Sequence, residues 1–231
     1  MGNSWPSEMT STVGIVGYQM GNITSLVNAF TAIGVPVFVA ETPGQLETAT
    51  HLVLPGVGAF PTGMEHLQAL GVVPVLRRLV MEEQRPLLGV CLGMQLLASV
   101  GEEHRVCPGL GLIPGRVKRL QTDLRVPHIG WNETLSVRDN ALLGPVGTSE
   151  CFYYVHSFHL IPEDSHDTTM TCDYDHPFTA AVERRTIFGV QFHPEKSHAA
   201  GLTILKRFIG VSRAQTSADS VSVSSERPHC A

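Results

Sequence analysis

Pro86-Leu87-Leu88-Gly89-Val90-Cys91-Leu92-Gly93-Met94-Gln95-Leu96-Leu97 is the stretch on which the reading of this chain rests. Pro86 to Val90 form a continuous apolar run, the pattern of a central strand covered on both faces. Met94 to Val100 are expected to be helical. Between them stands Gly-x-Cys-x-Gly. A sharp strand-to-helix turn forces its middle residue into a strained backbone conformation, and glycine on either side leaves room for it. The Cys91 thiol then projects above the sheet edge, at a helix start whose N–H groups and dipole favour a thiolate. The N–H of Leu92 is placed to hold an oxyanion.

Strands and helices alternate upstream of this turn. Val13 to Gly17 predict a short buried strand, followed by a loop over Tyr18 to Gly21. A helix begins at Asn22, a suitable N-cap, with Ile23, Leu26, Val27 and Phe30 on one face. Gly34 ends that helix. Val35 to Val39 and His51 to Leu54 are further strands, and helix is expected between Gly63 and Gln84. Such alternation implies a parallel sheet with helices on both faces. After Gly109 the texture changes to short strand-like runs at 115–120, 151–155, 168–172, 178–182 and 187–192. A last helix is expected over His198 to Ile209, with Leu202, Leu205, Phe208 and Ile209 inward. Residues 1–12 read as a loose lead-in, 13–210 as one domain, and the Ser-rich 211–231 as a disordered tail.

Composition narrows the function classes. The chain has 231 residues, 43% hydrophobic, with a formal net charge of −5. That suits one α/β domain with a substantial core. No long run of one charge sign points to nucleic acid or an anionic membrane. No apolar stretch approaches the ~18 residues of a membrane span. The opening Met1-Gly2-Asn3-Ser4-Trp5-Pro6 has neither a basic start nor an apolar core, so no secretory signal is expected, and Pro6 breaks the myristoylation pattern. The five cysteines are odd in number and scattered, without a CxxC pair. This argues against a disulfide framework or structural zinc and suits a reducing, cytoplasmic compartment. Gly56-Val57-Gly58 is too short for a dinucleotide fingerprint. No metal or cofactor is expected.

The second chemical segment is His193-Pro194-Glu195, after the strand Ile187 to Phe192. On extended chain the side chains at 193 and 195 lean the same way. The carboxylate can then hold the imidazole in one tautomer while the imidazole takes and returns a thiol proton. Each segment alone has an ordinary explanation: a buried core cysteine, or a surface turn at a strand end. Together, in the order Cys…His…Glu, they point to nucleophilic catalysis by Cys91, His193 and Glu195.

Gly89–Gly93 and Gly189-Val190-Gln191-Phe192-His193-Pro194-Glu195 resemble the signatures of the class I, triad-type glutamine amidotransferases, over about residues 13 to 209. The resemblance implies a flavodoxin-like, mainly parallel mixed sheet flanked by helices, with glutamine as substrate and a thioester at Cys91. Six segments in one order resemble the branch serving histidine biosynthesis. They are Met20-Gly21-Asn22, Leu54 to Phe60, Cys91 to Leu97, Pro127-His128-Ile129-Gly130-Trp131-Asn132, Tyr154-Val155-His156-Ser157 and His193 to Ser197. In that branch the glutaminase forms a heterodimer with a (β/α)8 cyclase. The resemblance places the oxyanion hole at Val57, Gly58 and Leu92, with a flip of the Val57 peptide completing it. It gives Gln95, Glu103, His156 and Ser157 to the substrate, and Asn22, Trp131 and Lys196 to the cyclase. Glu102 is adjacent to Glu103, and a one-residue shift would exchange them. Two positions depart from the pattern: Gly17, where an aspartate is usual, and Phe158, where a tyrosine is. Other amidotransferase glutaminases, a cysteine hydrolase with a similar elbow, and a non-catalytic relative are the rival readings.

Overall fold

The structure, a computed structural model, describes residues 11–212. The lead-in expected over 1–12 therefore lies outside it as far as residue 10, and the tail expected over 211–231 from residue 213 onward.

Among the described residues thirteen strands run in chain order. They are β1 (Val13–Val16), β2 (Val37–Ala40), β3 (His51–Leu54), β4 (Leu87–Val90), β5 (Ala98–Gly101), β6 (Cys107–Pro108) and β7 (Ile113–Arg119). After these come β8 (His128–Ser136), β9 (Ser149–His156), β10 (Phe158–Pro162), β11 (Thr168–Tyr174), β12 (His176–Arg184) and β13 (Ile187–Val190). The α-helices are α1 (Ile23–Ala32), α2 (Pro43–Leu46), α3 (Phe60–Ala69), α4 (Val73–Arg77), α5 (Leu92–Leu96) and α6 (His198–Ile209). A nine-stranded sheet has the order β2-β1-β3-β4-β13-β12-β11-β8-β9, and a four-stranded sheet the order β10-β7-β5-β6. In the large sheet β2 to β13 are parallel, and the strands from β12 outward are antiparallel.

β1, β3, β4 and β13 are buried at every position, which is why they read as unbroken apolar runs. Successive side chains serve opposite faces: Leu52 and Leu54 join one core cluster with Phe60 and Leu96, and Val53 joins the other with Phe30 and Phe208. Helices thus cover both faces, as the alternation of elements requires. Among the described residues no helix is long and apolar enough to cross a membrane.

Several expectations need correction. The helix after the elbow stops at Leu96 instead of running to Val100, and Ala98–Gly101 is strand. The carbonyls of Leu96 and Leu97 accept from Leu110, Leu112 and Ile113 instead of continuing the helix. Helix α3 starts at Phe60, ahead of Gly63, because Pro61 suits a first turn. Asn22 holds the N-cap position of α1 but makes no side-chain capping bond. On α6 Gly201, Ile204, Leu205 and Phe208 are buried, while Leu202 and Ile209 are half-buried and pack against the same core, so the face is centred nearer Ile204 than expected.

Candidate active site

The elbow follows from two close approaches. Cys91 has φ 54° and ψ −112°, a conformation side chains rarely adopt. A β-carbon on Gly93 would stand 1.8 Å from the Leu54 carbonyl oxygen, and one on Gly89 would stand 2.8 Å from backbone atoms of Gly93 and Met94. Glycine at 93 lets the start of α5 press onto the end of β3, and glycine at 89 lets it press onto β4. The parallel pairing of Val90 with Val190, extended by the Cys91 N–H to the Val190 carbonyl at 2.8 Å, brings the ends of β4 and β13 level. The residues just beyond β13 therefore gather around the cysteine.

His193 is one of them. Its Nδ1 lies 2.8 Å from Glu195 Oε1, with both side chains 2% exposed. The stretch is not extended through Glu195, as the sequence suggested. Pro194 opens one 3₁₀ turn over Pro194–Lys196, and that turn swings the carboxylate onto the ring. Ser197 Oγ donates to the His193 carbonyl at 2.7 Å, and the His193 N–H donates to the Tyr153 carbonyl at 2.9 Å, so the backbone is held on both sides. Burial by itself lowers the His193 pKa. The pull of Cys91 and Glu195 outweighs it and raises the value to about 10, so the ring carries a proton at neutral pH. His193 Nε2 and Glu195 Oε2 are buried without a closed hydrogen bond. Polar atoms left open at a buried site suit a site whose bonds close with the substrate.

Beside these groups lies a cavity of about 520 Å³. Cys91, Leu92, Gln95, Glu103, His156 and Ser157 all line it, as do Val57 and Gly58. Gly58 has φ +100° and Val57 is 42% exposed, so the loop faces solvent. The Leu92 N–H, expected to be free for an oxyanion, donates to the Gly56 carbonyl at 3.3 Å. That is long for such a bond. Glu103 and Glu102 separate cleanly. Glu103 faces the cavity and accepts from the Phe60 N–H at 2.7 Å. Glu102 turns away to Arg116 at 3.0 Å. His156 is clamped, Nδ1 to the Phe158 carbonyl at 2.9 Å and Nε2 to His128 Nδ1 at 3.2 Å. Burial pushes the pKa of His156 down to about 3 and that of His128 down to about 4.

Trp131 is 47% exposed and stacks on His198 at 4.9 Å. It meets the Tyr153 ring edge-on at 6.1 Å, and the Lys196 ammonium lies 5.6 Å from that ring. Trp131 and Lys196 therefore belong to one surface group with Tyr153. Asn22 is half-buried at the start of α1, outside those ring contacts, although α1 packs on the Pro194–Lys196 turn. At the two departures, a β-carbon on Gly17 would stand 2.7 Å from Val39 Cγ1, and Phe158 contributes its carbonyl to the site. Sequence reasoning did not single out Gln191, which lies against the sulfur, nor His128 behind His156. Gln191 sits inside the quoted Gly189–Glu195 segment, and its burial is the signal a strand pattern cannot carry. Among the described residues no group of three or more His, Cys, Asp or Glu is gathered as a metal site.

The family model described as glutamine amidotransferase class-I matches residues 15–211. The chain is 44% identical over 196 residues to a protein of Moorella thermoacetica described as imidazole glycerol phosphate synthase subunit HisH, covering 85% of this chain and 93% of that one. A Methanococcus maripaludis protein described as imidazole glycerol phosphate synthase subunit HisH 2 is 41% identical over 199 residues, covering 85% and 98%. The chain belongs to the class-I glutamine amidotransferases, in the HisH family. A solved glutamine amidotransferase shares the fold at TM-score 0.69 and 20% identity, over 87% of this chain and 100% of the other. The PurLQS structure from Thermotoga maritima also reaches TM-score 0.69, at 16% identity over 87% and 99%. In this amidotransferase, as the resemblance implied, the sheet is mixed and helices flank it.

Proposed function

We propose that the chain is the glutaminase subunit of an imidazole glycerol phosphate synthase, with Cys91, His193 and Glu195 as its catalytic groups. The observation that carries this reading is the His193 ring, held by Glu195 at 2.8 Å and paired with Cys91, which itself lines a cavity. The Cys91 thiolate attacks the side-chain amide carbon of glutamine, with Glu103 holding the substrate's ammonium. The oxyanion is held by N–H groups at Gly58 and Leu92. The second requires the Leu92–Gly56 bond to open, which a flip of the Val57 peptide would accomplish. Protonated His193 gives its proton to the departing amine, and ammonia leaves a glutamyl thioester on Cys91. Neutral His193 then takes a proton from water as the water attacks the thioester. Glutamate leaves, and the thiolate–imidazolium pair is restored.

Ammonia released into bulk water is protonated and lost, so release is tied to an acceptor. The partner is a (β/α)8 cyclase docked over Trp131, Lys196 and Asn22. It uses the ammonia to make imidazole glycerol phosphate and aminoimidazole carboxamide ribonucleotide. Glutamate release is measured for the chain alone, with the cyclase, and with the cyclase plus its nucleotide ligand. Strong stimulation in the last mixture only is the expected result. Cys91→Ala should abolish glutamine use while ammonia-driven synthesis by the complex continues. Loss of both would overturn this division of labour.

A further inference from the structure

A chain of hydrogen bonds ends on the nucleophile, and its direction can be worked out atom by atom. The Phe158 carbonyl can only accept. The Gln95 side-chain atom 2.8 Å from it is therefore the amide nitrogen, and His156 Nδ1, at 2.9 Å, is the donor to the same oxygen. Gln95 Nε2 lies 3.0 Å from the Gln191 side chain, which must offer its oxygen there. The Gln191 nitrogen is then left facing Cys91 Sγ, at 3.7 Å. Gln191 is fully buried and Gln95 is 5% exposed, so these contacts fix how both amides are turned. With His156 Nδ1 donating and the ring neutral, its Nε2 must accept, so His128 Nδ1 donates to it. From end to end the order is His128, His156, the Phe158 carbonyl, Gln95, Gln191 and Cys91.

We propose that Gln191 is a positioning residue for this reaction, its amide N–H holding the Cys91 sulfur as a thiolate in the attacking position. The inference deepens the reading of Cys91 as nucleophile and rests on it. The His193 ring is the sulfur's charged partner, and the Val155 carbonyl also lies near it, at 3.9 Å. A carbonyl can only accept, so it favours the protonated thiol; a donor favours the thiolate. A buried glutamine thus adds to His193 in favouring the thiolate, and its orientation is fixed two residues away, at the Phe158 carbonyl. Gln95 spends its N–H on Phe158 and Gln191, so toward glutamine in the cavity it offers an acceptor oxygen.

The test uses the full chain without its partner. Alkylation of Cys91 by iodoacetamide is followed by mass spectrometry of the Cys91 peptide from pH 5 to 10, in wild type and in Gln191→Met, which keeps the length and removes the donor. The pH of half-maximal alkylation should rise by about one unit, the size expected for one hydrogen bond to a charged group. An unchanged midpoint in a variant that still melts cooperatively overturns the proposal. If Gln191→Met does not fold, the Gln191 side-chain amide resonances of wild type are titrated instead. A shift that tracks Cys91 ionisation supports the proposal, and an amide indifferent to an ionising Cys91 overturns it. A wild-type Cys91 that is not alkylated at any pH overturns the nucleophile reading as well, so the two failures are distinguishable.

Discussion

The elbow at Gly89–Gly93 and the loop at Gly56–Ala59 face one cavity and are both rich in glycine, yet their glycines act in opposite ways. In the elbow, glycine permits contact: a β-carbon on Gly93 would collide with the Leu54 carbonyl at 1.8 Å. In the loop the role changes within two residues. Gly56 is packed like the elbow, 2.6 Å from the Tyr18 hydroxyl and 2.8 Å from Leu92 Cβ by the same measure. Gly58 has open space apart from the tip of Met20 at 3.0 Å, and needs glycine for its φ of +100°. The loop is pinned at Gly56, at Ala59, whose carbonyl accepts from the Gly63 N–H at 3.0 Å, and, through Glu103, at Phe60, which leaves Val57 and Gly58 as its exposed part. On the proposed function, Cys91 and Leu92 are thus held rigid while the Val57–Gly58 side of the oxyanion site can rearrange, the division of labour a partner-activated enzyme needs.

The largest expected effect tests the rigid side. Gly93→Ala should cost about 3 kcal/mol of stability or more, because backbone must move on both sides of the clash. Soluble protein with a wild-type melting temperature would break the contrast. Next, His193→Gln should lower glutamine turnover in the complex about 10³-fold with little change in the melting curve. Gly58→Ala probes the mobile side. Strain of about 1–2 kcal/mol should lower Tm by only a few degrees, while glutaminase turnover with the cyclase falls at least about tenfold. A large Tm loss there would mean the loop is as fixed as the elbow.

The histidines around the site differ in charge as well, and pH separates them. His193 has a raised folded pKa, so its stabilisation is complete below the unfolded value near 6.5 and is lost as pH rises through about 10. His128 and His156 have lowered folded values, about 4 and about 3, so they bind protons more readily when unfolded. Their contribution is complete above about 6.5 and is lost as pH falls toward those values. Thermal melts should show Tm falling from pH 6.5 to 4, and His128→Phe should flatten that slope. The smallest effect separates two neighbours. Glu102→Gln should change stability by less than about 1 kcal/mol and leave KM for glutamine alone, while Glu103→Gln should raise KM. Equal KM changes would remove the distinction the fold draws between them.

The sequence by itself determined the strained turn at Cys91, the order of Cys91, His193 and Glu195 proposed as catalytic, the buried parallel strands and the last helix. These are local matters: apolar runs report strands buried on two faces, and glycine spacing reports backbone strain one residue away. Strand β8 escaped because its alternation has inverted polarity: His128, Thr134 and Ser136 are buried, while Ile129, Trp131 and Leu135 face outward. The 3₁₀ turn at Pro194–Lys196 was read as extended because a tripeptide does not specify which backbone its Pro continues. Only the tertiary structure decided that Glu103 and not Glu102 faces the cavity, since that choice lies with Phe60 and Arg116, each distant in sequence from the pair. The same is true of Leu92, whose N–H is taken by Gly56, and of Gln191, brought to Cys91 by the register of Val90 with Val190. Hydrogen-bond partners across a sheet are fixed by which strands lie side by side, and that adjacency has no signature in any one segment.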